Sequence, residues 1–121
     1  MRYMLIIYLD EEIEARKSDE EMSEMFTRCL THSAEWKKRG LMQQGEPLHP
    51  TSMATTVRVR EGKTLLTDGP FAETKEQLGG FYIVNCSSED EALRMAKEAA
   101  EMHGNSSGCI EVRPILEFAQ P

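Results

Sequence analysis

The densest set of chemically capable side chains in the sequence is Asp68, Glu73, Lys75 and Glu76, gathered in one short polar segment. Carboxylates opposed to an ammonium group in a cleft can take up, hold and return protons. Segments between regular elements are also where sites usually sit. In such a site Asp68 would be a base or orienting carboxylate, Lys75 an electrostatic stabiliser, and the helical His32 a proton carrier. Glu73 and Glu76 would then help hold a ligand. The same residues equally describe a turn in which Asp68 bonds its own backbone and the others form a solvated surface. The residue types leave both readings open.

A second polar group lies on strand-like segments. Arg58 and Arg60 alternate with Val57 and Val59, and Glu111, Arg113 and Glu117 alternate with Ile110, Val112, Leu116 and Phe118. Pointing inward, Arg58 and Arg113 would recognise an anionic small molecule, because guanidinium matches a carboxylate bidentately. Pointing outward, they are surface ion pairs. Tyr82, beside Phe81, could carry a hydroxyl into the same cleft or be a hydrogen-bonded core tyrosine.

His32 and Glu35 share a helical spacing, but no second pair at ligand spacing accompanies them, so no metal site is expected. Cys29, Cys86 and Cys109 all fall in elements expected to be buried, where thiols behave as small hydrophobes. No phosphate-binding loop, dinucleotide fingerprint or nucleophile elbow occurs, and no cofactor is expected.

Elements that would position these groups follow from periodicity. Tyr3 to Leu9 is apolar on both alternating faces, the mark of a strand buried on both sides. Ser18 and Glu21 form a capping box. Met22, Met25, Phe26, Cys29, Leu30, Ser33 and Trp36 then recur along one face, and Lys37-Lys38-Arg39-Gly40 closes the element. The pattern predicts a helix from about 19 to 39. Leu41 to Met53, with Gly45, Pro47 and Pro50, reads as a connecting loop. Ala54 to Arg60 and Lys63 to Thr67 read as a hairpin turning at Glu61-Gly62. Gly79-Gly80 leads into a strand from Phe81 to Cys86. Ser88 and Glu91 open a second helix ending by Gly104, and Cys109 to Phe118 forms the last strand, with Pro114 at an edge or bulge.

This order is α+β, a ferredoxin-like split βαβ sandwich with an added β-hairpin. Two helices cover one face of such a sheet. The other, apolar in its central strands, calls for a second copy, and a homodimer is expected.

A chain of 121 residues suits a single domain over residues 1–121. Fourteen Lys and Arg against twenty-one Asp and Glu give a net charge of −7, which disfavours nucleic acid and anionic membrane surfaces. An odd number of cysteines without a C-x-x-C pair suits a reducing compartment. The short apolar start ends at Asp10-Glu11-Glu12 without a cleavage site, so it reads as a strand. A cytoplasmic protein is expected, in which the sequon Asn105-Ser106-Ser107 has no role.

The run Asp68-Gly69-Pro70-Phe71-Ala72-Glu73-Thr74-Lys75-Glu76-Gln77-Leu78-Gly79-Gly80-Phe81 resembles the signature of the DGPF proteins, a branch of the YCII-related family. Arg2-Tyr3-Met4-Leu5, Ala54-Thr55-Thr56-Val57-Arg58 and Ile110-Glu111-Val112-Arg113-Pro114 match the same pattern. The resemblance implies a dimeric α+β barrel. It implies no established activity, although a His–Asp pair has been suggested as the active site of YCII relatives. Here His32 is a loose counterpart of that histidine, while Asp68 belongs to the motif itself. Relatives are often encoded beside extracytoplasmic-function sigma factors. Two functions therefore stand: a small-molecule-binding barrel with a pocket near the Asp68–Gly80 loop, or a module that binds a transcription-associated protein.

Overall fold

The computed structural model describes residues 1–103 and 107–118. Strand β1 (Arg2–Leu9) lies inside a four-stranded antiparallel sheet, as its two apolar faces require. Asp10 stops it: the carboxylate accepts from the Glu12 and Ile13 amides and starts a short helix, α1 (Glu11–Ala15). Helix α2 (Asp19–Lys38) opens on the expected Ser18–Glu21 capping box, and Gly40 beyond its end adopts φ 74°. Then come β2 (Met42–Pro47), a 3₁₀ turn at Thr51–Met53, β3 (Thr55–Arg60), β4 (Lys63–Asp68), β5 (Gln77–Asn85), α3 (Glu89–Met102) and β6 (Cys109–Pro114).

The spatial order of the main sheet is β2-β5-β1-β6, compatible with a ferredoxin-like α+β plan, and β3-β4 forms a separate two-stranded sheet. Helices α2 and α3 lie on the face presented by Tyr3, Leu5, Ile7, Tyr82 and Val84. There Leu5, Val84 and Trp36 are fully buried, and the small side chains of Ala92, Ala96 and Ala99 let α3 approach closely. Trp36 ties α2 to α3, donating from Nε1 to Glu98 Oε2 at 3.1 Å. The opposite face carries Met4 beside Ile83 and Ile6 beside Phe81. Among the described residues, no helix is long and apolar enough to cross a membrane.

Several expectations are corrected. Met42–Pro47 is a strand, not part of a loop, and it replaces Ala54–Arg60 as the second strand of the main sheet. Gly45 and Pro47 read as breakers, but β2 is an edge strand where both are tolerated. At Gly45 a Cβ would lie 2.6 Å from Tyr82 Cδ1, so glycine is what lets this strand pack beside the ring. Helix α1, absent from the expectation, depends on the Asp10 cap rather than on an apolar stripe. The strand β5 begins at Gln77, earlier than expected, since Gly80 pairs with Ile7 and the ladder resumes at Leu78 and Gln77 past a bulge at Gly79. The last strand stops at Pro114; beyond it Leu116 and Phe118 stand exposed instead of lining a buried face. Cys86 is buried as expected and Cys29 half-buried, but Cys109 is exposed on the edge strand β6. The expected helix stop at Gly104 and the sequon asparagine Asn105 lie outside the described residues.

Candidate functional site

On the helix-covered side, α2 does not close onto the sheet along its whole length. Near its C-terminal end Trp36 fills the gap, with its ring edge-on to Tyr82 at 5.5 Å between centroids. Toward the N-terminal end the sheet beneath presents Gly45 and Gly80, which contribute no side chain. At Gly80 a Cβ would stand 2.9 Å from the Glu46 carbonyl oxygen, so nothing larger fits between β5 and β2. The result is a cavity of about 540 Å³. It is open to solvent on one side, where Phe26 and Leu30 are 45% and 72% exposed, so it is a largely apolar pocket rather than a sealed void.

Its roof is the apolar stripe of α2: Met22, Met25, Phe26, Cys29, Leu30 and Ser33. The floor is Ile7 and Leu9 of β1, Met42 of β2, and Gly80 and Tyr82 of β5. One wall is Leu48, His49 and Pro50, and another is α1 with Glu11 and Glu14. Glu11 holds these walls together, accepting from the Thr51 amide at 2.8 Å and from the Thr51 hydroxyl. Glu14 pairs with Lys17 at 2.8 Å. Gln77 donates to the Ala72 carbonyl at 2.9 Å, fixing the preceding loop at the cavity edge.

The Tyr82 phenol interacts with Cys29 and Ser33, and burial first, then the Cys29 thiol, pushes its pKa up to about 12. Burial also raises the Cys29 thiol, which leaves it a weak nucleophile. His103, at the inner side, is lowered, chiefly by burial and against the pull of Glu14. These are groups held neutral in a poorly solvated space.

The structure distributes the residues expected from the sequence. Tyr82 lines the cavity. Asp68 ends β4 and is exposed, as are Glu73, Lys75 and Glu76 in the loop that follows. His32 is exposed on α2, edge-on to Trp36 at 6.3 Å. None of the described hydrogen bonds or ion pairs joins Asp68, Lys75 and His32 to one another. The turn after Asp68 is held by other groups: the Gly69 amide donates to the Ala54 carbonyl at 2.8 Å, and Thr56 Oγ1 donates to the Gly69 carbonyl at 2.8 Å. Arg58 reaches the Phe71 carbonyl at 2.6 Å and so ties this loop to the hairpin.

Arg113 is exposed on β6, beside Met4 on the sheet face away from α2 and α3. On that face Tyr8 donates to Glu111 at 3.4 Å. Burial and the Glu111 carboxylate raise the Tyr8 phenol against a lowering effect of Arg113. The arginines of the hairpin and Arg113 of β6 therefore belong to different sheets. Among the described residues, no three His, Cys, Asp or Glu side chains gather as metal ligands.

Sequence reasoning missed Glu11, Leu48 and Gln77, and it read the α2 stripe as ordinary core. The available signal was a volume mismatch: a broad stripe of large side chains facing strands that carry glycine at Gly45 and Gly80.

The YCII-related domain model matches residues 1–119. The chain is similar to an uncharacterised protein of Rhizobium meliloti (strain 1021), at 38% identity over 118 residues, covering 98% of this chain and 94% of that protein.

Proposed function

The chain belongs to the YCII-related family, and from that premise we propose that it is a small-molecule-binding protein that works as a homodimer. The ligand occupies the cavity beneath α2. One observation carries this reading: a pocket of about 540 Å³ lies between the apolar stripe of α2 and sheet strands that carry Gly45, Gly79 and Gly80. That volume lies within the range of pockets that take a drug-sized molecule. The Asp68–Gly80 loop meets the cavity through Gln77, Leu78, Gly79 and Gly80, so the segment resembling the DGPF signature forms its rim.

Dimer formation is supported by two uncovered apolar surfaces. One is the Met4, Ile6, Phe81 and Ile83 face, which two copies can bury as a barrel. The other is the hairpin, whose Val57, Val59 and Leu66 are exposed by 60%, 62% and 70%. The reading assigns binding before catalysis, because Asp68, Lys75 and His32 lie outside the cavity lining. Free thiols support a cytoplasmic setting.

Native mass spectrometry of freshly purified protein tests this directly. A dimer carrying a defined extra mass is expected; a monomer without retained mass, and without uptake of added small molecules, would overturn it. A second reading, docking of a transcription-associated protein, is favoured by the exposed hairpin stripe. It predicts a partner captured from lysate that Val57→Asp releases and that needs no metabolite.

A further inference from the structure

The lining of the cavity also restricts what its occupant can be, an inference that rests on the binding reading above. The polar side chains around it are largely committed to the protein. Glu11 is bonded to Thr51, Glu14 is paired with Lys17, Gln77 holds the Ala72 carbonyl, and Tyr82 interacts with Cys29 and Ser33. The fixed charges are biased to one sign. Glu11, Glu14 and Glu46 line the space; Lys17 offsets Glu14, and among the described lining residues the one ammonium is that of Lys37, which stands exposed in the last turn of α2.

An anionic ligand would thus give up its hydration without gaining a buried cationic partner, and it would meet carboxylates. His103 offers no compensation, since burial favours its neutral form. What the cavity does supply is hydrocarbon, thioether and aromatic surface from Ile7, Met22, Met25, Phe26, Leu30 and Leu48. Methionine adapts its shape to irregular apolar partners.

We propose that the cavity takes an uncharged, largely apolar molecule. The preference excludes carboxylates, sulfonates and phosphates.

A matched pair of fluorescent probes tests this on the full-length protein: neutral N-phenylnaphthylamine and its anionic counterpart anilinonaphthalene sulfonate. Saturable binding of the neutral probe is expected, one per chain, at least about tenfold tighter than the sulfonate. Cys29→Trp, which fills the space, should abolish that binding. Leu30→Lys changes a side chain that is 72% exposed, so the fold tolerates it. It should raise sulfonate affinity severalfold relative to that of the neutral probe. If the sulfonate binds as tightly as the neutral probe in the wild type, and Cys29→Trp abolishes both, the pocket stands and the ligand class is overturned. Neutral-probe binding that survives Cys29→Trp would overturn the assignment to this cavity. If neither probe saturates, the binding reading itself falls. If the neutral probe binds only as a dimer dissociates, followed by sedimentation, the natural occupant is a second copy and the proposal fails.

Discussion

Strand β1 and the hairpin strands β3 and β4 are built from similar residues and meet different fates. In β1, Leu5 is fully buried and Ile7 is 7% exposed, because β5 and β6 flank the strand and two helices lie over the face that carries them. In the hairpin, Val57 and Val59 alternate with polar residues as regularly as any buried strand, yet each is more than half exposed. The hairpin strands are in register with each other, Val57 opposite Leu66 and Val59 opposite Thr64, but each keeps one unpaired edge, whereas β1 is paired on both sides. The difference is the absence of a covering layer. A two-stranded hairpin by itself is marginal in water, so this one fits the proposed surface completed by a second copy. Stability is concentrated in the sandwich, while the proposed association would fall to the hairpin and the uncovered sheet face.

The comparison breaks most visibly at Trp36. Trp36→Ala should lower the unfolding free energy by about 3–5 kcal/mol in chemical denaturation, whereas Val59→Ala in the isolated subunit should stay within about 0.5 kcal/mol. A reversed order would locate the core in the wrong place. Next in size is Gly80→Ala, where the new methyl presses on the Glu46 carbonyl and must part β5 from β2. A loss of about 1–3 kcal/mol is expected for such overpacking, with a weaker response of the cavity to the neutral probe.

Val57→Asp together with Leu66→Asp should weaken self-association by at least about tenfold in sedimentation equilibrium while the far-ultraviolet spectrum of the subunit is retained. Unchanged association would assign the dimer to the sheet face alone. Tyr82 gives a pH signature. Its folded pKa is raised from 10.0 to about 12, so the unfolded chain releases the proton first. The stability this group contributes is intact below 10.0 and is lost as pH rises toward about 12. Tyr82→Phe should flatten that part of the alkaline unfolding profile. Smallest of all is the Arg2–Glu117 pair, 2.6 Å apart and exposed. Arg2→Ala should produce no resolvable shift in the thermal midpoint at physiological salt.

How far the sequence was legible depends on whether the signal was local. Ser18 with Glu21 and Ser88 with Glu91 announced both long helices, since a capping residue acts within one turn of itself. The second cap differs in one detail: the Glu91 carboxylate accepts from the Ser87 amide at 2.9 Å. Strand β2 was illegible because its Gly45 and Pro47 make sense only at a sheet edge beside the Tyr82 ring, a relation between distant residues. The cavity was hidden for the same reason. Met22, Phe26 and Leu30 form a stripe that any core helix would show, and only the glycines across from it reveal that the stripe is not fully met. The charged loop at Glu73–Glu76 drew attention by residue type, while the space lies at the loop's end, where Gln77 turns into β5.

The burial of Trp36 also has an optical consequence. It is the single tryptophan of the chain, 1% exposed and edge-on to the ring of Tyr82, whose phenol borders the cavity. Its emission therefore reports unfolding without interference from any other indole. A change in the polarity or filling of the space beside Tyr82 reaches the same fluorophore, so occupancy can be followed in the unlabelled protein.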